Sequence, residues 1–194
     1  MKRSILALAA LALLMCGASA VHADTITITE TATMSGSLDG VSFTNALVTF
    51  TVVADTANSS NGGSGTTFRL PGVTTVSVAG ITDTLSDAST GAVVNQALGV
   101  AGISDFTTHI GLTFVQNAGA FDTYTLMSPI GPVSGTGEVS IFDFATDNGS
   151  LDLTGISGQA TYSAVEPTPE PGSIALFGMG LVGIFVLMKK KAVA

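Results

Sequence analysis

From Asp24 onward the chain alternates apolar and polar residues with a period of two. Thr25-Ile26-Thr27-Ile28-Thr29 places isoleucines on one face and threonines on the other, the pattern of a half-buried β-strand. The same pattern predicts strands over 41–54, 73–81, 107–116, 121–127, 137–145 and 151–165. Thr, Val, Ile and Phe suit a pleated surface, and the Gly, Ser, Asn and Asp clusters between these runs supply turns. Two stretches break the pattern. Residues 58–65, Asn-Ser-Ser-Asn-Gly-Gly-Ser-Gly, have the composition of a flexible surface loop. Residues 83–102 mix Ser, Asp and Ala around 93–98, which fits a short helix or a poor strand. The expected fold is mainly β, a β-sandwich or jelly-roll-like extracellular domain over 24–165.

The two ends depart from alternation. Met1-Lys2-Arg3, an unbroken apolar run over 5–15 and then small residues give the layout of a secretory signal peptide, too short in its apolar part to span a membrane comfortably. Ala18-Ser19-Ala20 and Val21-His22-Ala23 both satisfy the small-x-small cleavage rule, and Ala23 is favoured because Asp24 opens the alternating sequence. Leu13-Leu14-Met15-Cys16 approaches a lipobox, but Met15 stands where a small residue is required, so Cys16 is expected to leave with the signal. At the other end, Glu166-Pro167-Thr168-Pro169-Glu170-Pro171 is a stiff, extended spacer. Residues 172–188 are uncharged and mostly apolar, and Lys189, Lys190 and Lys191 follow. As a helix this segment would be about 25 Å long against a hydrocarbon core of about 30 Å, a mismatch that snorkelling lysines and local thinning can cover. The lysines belong on the cytoplasmic side, which places 24–170 outside the membrane.

Pro169-Glu170-Pro171-Gly172-Ser173, the Gly-punctuated apolar segment and the terminal basic cluster together resemble the PEP-CTERM sorting signal of Gram-negative bacteria. The resemblance is confined to roughly the last 25 residues. It implies a partner, the multi-spanning membrane enzyme exosortase, with Pro169, Glu170 and Pro171 as recognition residues. It also implies an inner-membrane precursor whose product reaches the cell surface or medium, often in species that make exopolysaccharide. Lysines replace the arginines more usual in that family, and Glu166-Pro167 partly duplicates the box.

Composition narrows what the middle can do. The chain has 194 residues and a net charge of −8, but five of its six basic residues lie at the two ends and all fourteen acids lie between Asp24 and Glu170. The middle segment therefore carries about −13 with Arg69 as its only cation. Such a surface excludes a phosphate-backbone binder, so no nucleic acid is expected. One Cys excludes a disulfide framework and a multi-Cys zinc site.

Catalytic signatures are absent from the sequence. No G-x-S-x-G occurs, no Gly-rich loop precedes a Lys, and His109 is the only histidine after Ala23. Alternation sets His109 on the polar side of its strand with Thr107, Gly111 and Thr113, as a solvated residue. With no Trp, two Tyr and one Arg, the segment is poorly equipped to stack and orient sugars for hydrolysis. Asp143, Asp147 and Asp152 are weak calcium candidates; they lack the spacing of an EF-hand, and a hairpin turn on Asn148-Gly149 accounts for the same residues. The expectation is a non-enzymatic structural or interaction protein without cofactor, exported, held by its C-terminal helix and sorted to the surface or matrix. The alternative is a calcium- or carbohydrate-binding adhesive module on a single C-terminal span.

Overall fold

The computed structural model describes residues 25–87, 89–108, 110–139 and 143–167. Ala23, Cys16, His109 and the whole segment from 168 onward, with Pro169, Glu170, Pro171, the expected helix over 172–188 and Lys189 to Lys191, lie outside the described residues.

The architecture is mainly β, as alternation predicts. The strands are β1 (Thr25–Leu38), β2 (Val41–Asp55), β3 (Ser60–Asn61), β4 (Thr67–Pro71), β5 (Val73–Val78), β6 (Ile81–Thr84), β7 (Thr90–Asn95), β8 (Val100–Asp105), β9 (Ile110–Gln116), β10 (Ile130–Val139), β11 (Asp143–Ala145) and β12 (Ser150–Val165). Among the described residues all pairings are antiparallel and all twelve strands belong to one sheet, in the order β3-β4-β7-β8-β9-β10-β12-β1-β2-β5-β6, with β11 also on β12. The hydrogen-bond ladder thus builds one continuous sheet in place of the two stacked sheets expected of a sandwich or jelly roll.

That sheet curls far enough to close a ring. Leu85, just past β6, bridges Thr146, just past β11, and the Ser86 N–H and Asp147 N–H donate to the Ala145 and Thr84 carbonyls at 3.1 and 3.0 Å. β1, β2, β5, β6, β11 and β12 therefore form a closed circuit. A path from Ile28 through Val52, Thr74, Leu85 and Thr146 returns at Gly149, which sits against Asp39 at the far end of β1. Such a large offset is the stagger that closing a tilted sheet requires. The other arm, from β10 to β3, folds back so that β4 and β7 lie against β2 and β5. Gly72 makes the crossing between β4 and β5 possible, because a Cβ there would press on Val52 and Ala54 of β2.

Two tight turns set the register. Asp39-Gly40 and Ala79-Gly80 both have positive φ at each residue, 51° and 79° in the first and 52° and 83° in the second, the type I′ geometry whose twist matches a hairpin. The second splits the expected strand 73–81 into β5 and β6.

Other expectations shift for identifiable reasons. Residues 121–127 form no strand: Asn117 caps a single helical turn, α1 (Ala118–Phe121), its side chain accepting from the Ala120 N–H at 3.3 Å. Phe121, Tyr124 and Leu126 then enter the core from a turn-rich segment. Residues 83–102 supply β7 and the first half of β8, which are buried on both faces and so show no alternation. The β9 strand begins at Ile110 instead of residue 107, and Thr113 is fully buried instead of lying on a polar face. The register shift between Ile103 and Ser104 of β8 leaves Leu112 without a direct partner there, so Leu112 and Thr113 are both buried.

The core is built from the inner residues of both arms, including Ile26, Ile28, Met34, Phe50, Ile103, Leu112, Phe121, Leu151 and Tyr162. Phe121, Tyr124 and Tyr162 form an aromatic cluster with ring centroids 5.5 to 6.4 Å apart. Outside, the register aligns like with like. The outer residues Ser163, Thr29, Thr51, Thr75 and Thr84 run across β12, β1, β2, β5 and β6 as one row of hydroxyls.

Candidate functional site: the strand exit, its groove and the acidic turn

β12 carries the chain to the tail. Its last residue, Val165, pairs with Thr27 near the start of β1, and Glu166 and Pro167 follow outside the sheet. The expected signal junction at Ala23 and the expected tail are therefore attached to one end of the same strand pair. Pro167 cannot donate to a ladder, which suits the end of pairing there.

An open groove of about 530 Å³ lies close to this end. Val53, Pro71, Gly72 and Val73 form part of its wall, and Asp55, Asp87 and Asp147 give it negative charge. Val53 and Val73 are register partners, and both are exposed.

The three calcium candidates are not gathered on one point. Asp143 and Asp152 are cross-strand partners in the β11–β12 ladder, while Asp147 sits in the connecting turn and lines the groove. Among the described residues no group of three or more His, Cys, Asp or Glu side chains is placed to hold a metal ion. The turn itself is one residue earlier than expected: Thr146 pairs with Gly149 through an N–H to carbonyl bond of 3.1 Å, leaving Asp147-Asn148 as the loop.

Two acids outside the predicted set organise this turn. Asp83, at the inner end of β6, accepts from the Asn148 N–H at 3.0 Å, the Asn148 side-chain amide at 2.9 Å and the Thr84 N–H at 2.8 Å. Burial alone would raise its pKa, but these bonds and the Thr146 side chain outweigh burial and hold the carboxyl below the usual carboxylate range. Asp39 accepts from the Thr146 hydroxyl at 2.7 Å and ties the β1–β2 turn to the β11–β12 turn. Asp105 is similarly committed, to Ser89, Thr107 and Thr108, whose bonds override burial and lower its pKa. These carboxylates are structural acceptors, spent on holding turns together.

One acid is used otherwise. Glu30 occupies an inward position of β1 between Ile28 and Ala32, fully buried, with neither oxygen hydrogen-bonded. Desolvation pushes its pKa up to about 8, and the nearby Thr113 hydroxyl, in a geometry too poor for a full bond, draws it back only in part. Glu30 is two residues on from Ile28, so the alternation of Ile26 and Ile28 carried one step further gives it the inward face. The sequence carries no signal that its charge would go unpaired.

Residues 167–191 match the protein-family model described as PEP-CTERM protein-sorting motif. The C-terminal segment is thus a PEP-CTERM sorting motif, which targets an exported, membrane-anchored precursor to exosortase. No curated protein and no solved structure matches the chain. Among the described residues no helix is long and apolar enough to cross a membrane.

Proposed function

We propose that this chain is a structural or interaction protein of the cell surface or extracellular matrix, delivered by its sorting tail and without catalytic activity. The observation that supports this most is continuity: the last core strand runs straight into the sorting motif, with Val165 the end of β12 and residue 167 the start of the matched segment. The tail handles delivery, so the β-domain is the part that acts after sorting. Its carboxylates at Asp39, Asp83 and Asp105 are consumed by turn bonds, which leaves a poor inventory for acid–base or nucleophilic chemistry. A second reading, a carbohydrate-binding adhesive module, draws support from the uncharged hydroxyl rows on the outer face.

The test is intact mass with terminal sequencing of the protein recovered separately from membranes and medium of the native host. The expected product lacks the first 23 or so residues and ends near Pro171. Glu170→Ala is expected to leave the full-length tail in the membrane. A wild-type membrane species retaining Lys191, or unchanged processing of the Glu170 variant, overturns the sorting assignment.

A further inference from the structure

The outer face of β10, β12, β1, β2, β5 and β6 carries hydroxyls in register. Ser134, Thr161, Thr31, Thr49, Ser77 and Thr82 are successive cross-strand partners, so six strands contribute one hydroxyl each to a single row. The Thr29 row lies two residues away along the strands and runs parallel to it across five strands. Strands stand about 4.8 Å apart and alternate residues about 6.8 Å apart, so the two rows form a regular hydroxyl grid. The Thr29, Thr31, Thr49 and Thr51 side chains are half-exposed and spend no hydrogen bond within the described residues.

No charged residue interrupts either row, although the segment carries about −13. The inward row between the two contains Glu30 and Asp83, and the outward acids of these strands, among them Asp55 at the end of β2 and Glu138 near the end of β10, lie outside the two rows. Next to the grid on the tail side, Val165, Thr27, Val53 and Val73 make a third, mostly apolar row. The charges that keep a wet sheet face from pairing with others stand at its margins, and the two rows themselves carry none.

We infer that this grid is a binding face for an extended, neutral polysaccharide, an inference that rests on the extracellular reading above. The chemistry favours that partner over others. Ser77 with Thr82 and Ser134 with Thr161 bond to each other at 2.6 and 3.2 Å, while β1 and β2 offer unspent hydroxyls flanked by threonine methyl groups, matching the alternating hydroxyl and C–H surface of a sugar chain. The strand spacing is close to the rise of one sugar ring in an extended polymer, so successive rings meet successive strands. An anionic polymer is repelled by the acidic body, and a basic one is drawn to the acids around the groove at Asp55, Asp87 and Asp147 instead. Placement agrees: the face borders the Val165 exit. Each contact is weak, so avidity along the polymer supplies the affinity.

The experiment uses the purified full-length chain in a detergent without a sugar headgroup, and measures retention on amorphous cellulose, β-1,3-glucan and mannan, with alginate as the anionic comparison. Retention is expected on at least one neutral polymer and not on alginate. Thr31→Val with Thr49→Val removes two hydroxyls at constant shape and should weaken binding about tenfold or more. Thr44→Val, exposed on β2 but outside the rows, should not. Unchanged melting temperatures show that both variants fold. Absence of retention on all three neutral polymers, equal retention on alginate, or unchanged binding by the double variant overturns the proposal. So does concentration-dependent dimerisation abolished by the double variant, which would make the face a contact between copies. None of these outcomes touches the sorting assignment, which stands or falls on the C-terminal mass.

Discussion

Glu30 and Tyr162 are direct partners across the β1–β12 ladder, both wholly buried, and neither the carboxylate nor the phenol makes a hydrogen bond. Tyr124, whose hydroxyl is also unpartnered, stands with its ring 6.1 Å from that of Tyr162, and the Thr113 hydroxyl completes an inner polar cluster. Burial pushes the Tyr124 phenol up to about 12 and raises the Tyr162 phenol well above its ordinary value, with the neighbouring Tyr124 and Glu30 adding to the effect on Tyr162. The interior keeps these groups neutral because burial outweighs the little that neighbouring hydroxyls offer their charged forms.

Stability should therefore depend on pH through Glu30. Its folded pKa of about 8 exceeds the unfolded value near 4.5, so the native state holds the proton more tightly. The stability this gives is fully present below pH 4.5 and is lost progressively as pH rises through 8, a change of order 5 kcal/mol. Melting temperature followed from pH 5 to 9 should fall, and Glu30→Gln should flatten the fall. Glu30→Leu should raise the melting temperature at pH 8; a flat wild-type profile would refute the assignment.

The phenol of Tyr162 should be dispensable while the ring is not. Tyr162→Phe removes an unpaired buried hydroxyl and is expected to be neutral or stabilising by about 1 kcal/mol. Phe121→Ala, which empties the centre of the aromatic cluster, should cost about 3–5 kcal/mol. Denaturant titration of both variants checks the contrast.

Gly36 and Gly155 lie at the same bulged stretch of the β1–β12 pair but differ in the space around them. A Cβ on Gly36 runs into the Asp152 carbonyl, whereas one on Gly155 meets nothing within 4 Å. Gly36→Ala should destabilise by about 1–3 kcal/mol, and Gly155→Ala should change stability by less than about 0.5 kcal/mol. Equal effects would mean that the bulge between Ser35 and Gly36 relaxes freely.

Asp83→Ala should open the ring at its narrowest seam. The Asn148 amide and N–H lose their acceptor, so amide exchange should quicken across 143–149 and at Ser86 while β1 and β2 stay protected. The wild-type contribution is present above the unfolded carboxylate pKa and is lost as pH falls through the depressed folded value. Exchange that quickens uniformly would show that the seam is no separate unit.

Much of the strand content was written in the sequence wherever one face stays wet. Thr25 to Thr29 and 151–165 alternate because their outward side chains meet water, and they form β1 and β12 with little change. β7 escaped notice for the opposite reason, since Gly91 to Val94 are covered on both sides and no selection for polarity acts there. The turn at Ala79-Gly80 was missed because Ala is an unusual residue at positive φ; Asp39-Gly40 carries the ordinary dipeptide. The acids of 143–152 were legible as a turn but not their partners, for Asp83 and Asp39 reach Asn148 and Thr146 across 65 and 107 residues of chain.

The sequence by itself determined the delivery tail, whose box, apolar segment and basic cluster are contiguous and act as a linear signal, together with the β class of the domain. Only the tertiary structure decided the single curled sheet, the unpaired burial of Glu30 against Tyr162, and the alignment of separate Thr and Ser residues into rows. The reason is one of range: periodicity and motif are local properties of a chain, whereas register, ring closure and desolvation depend on which distant strands become neighbours.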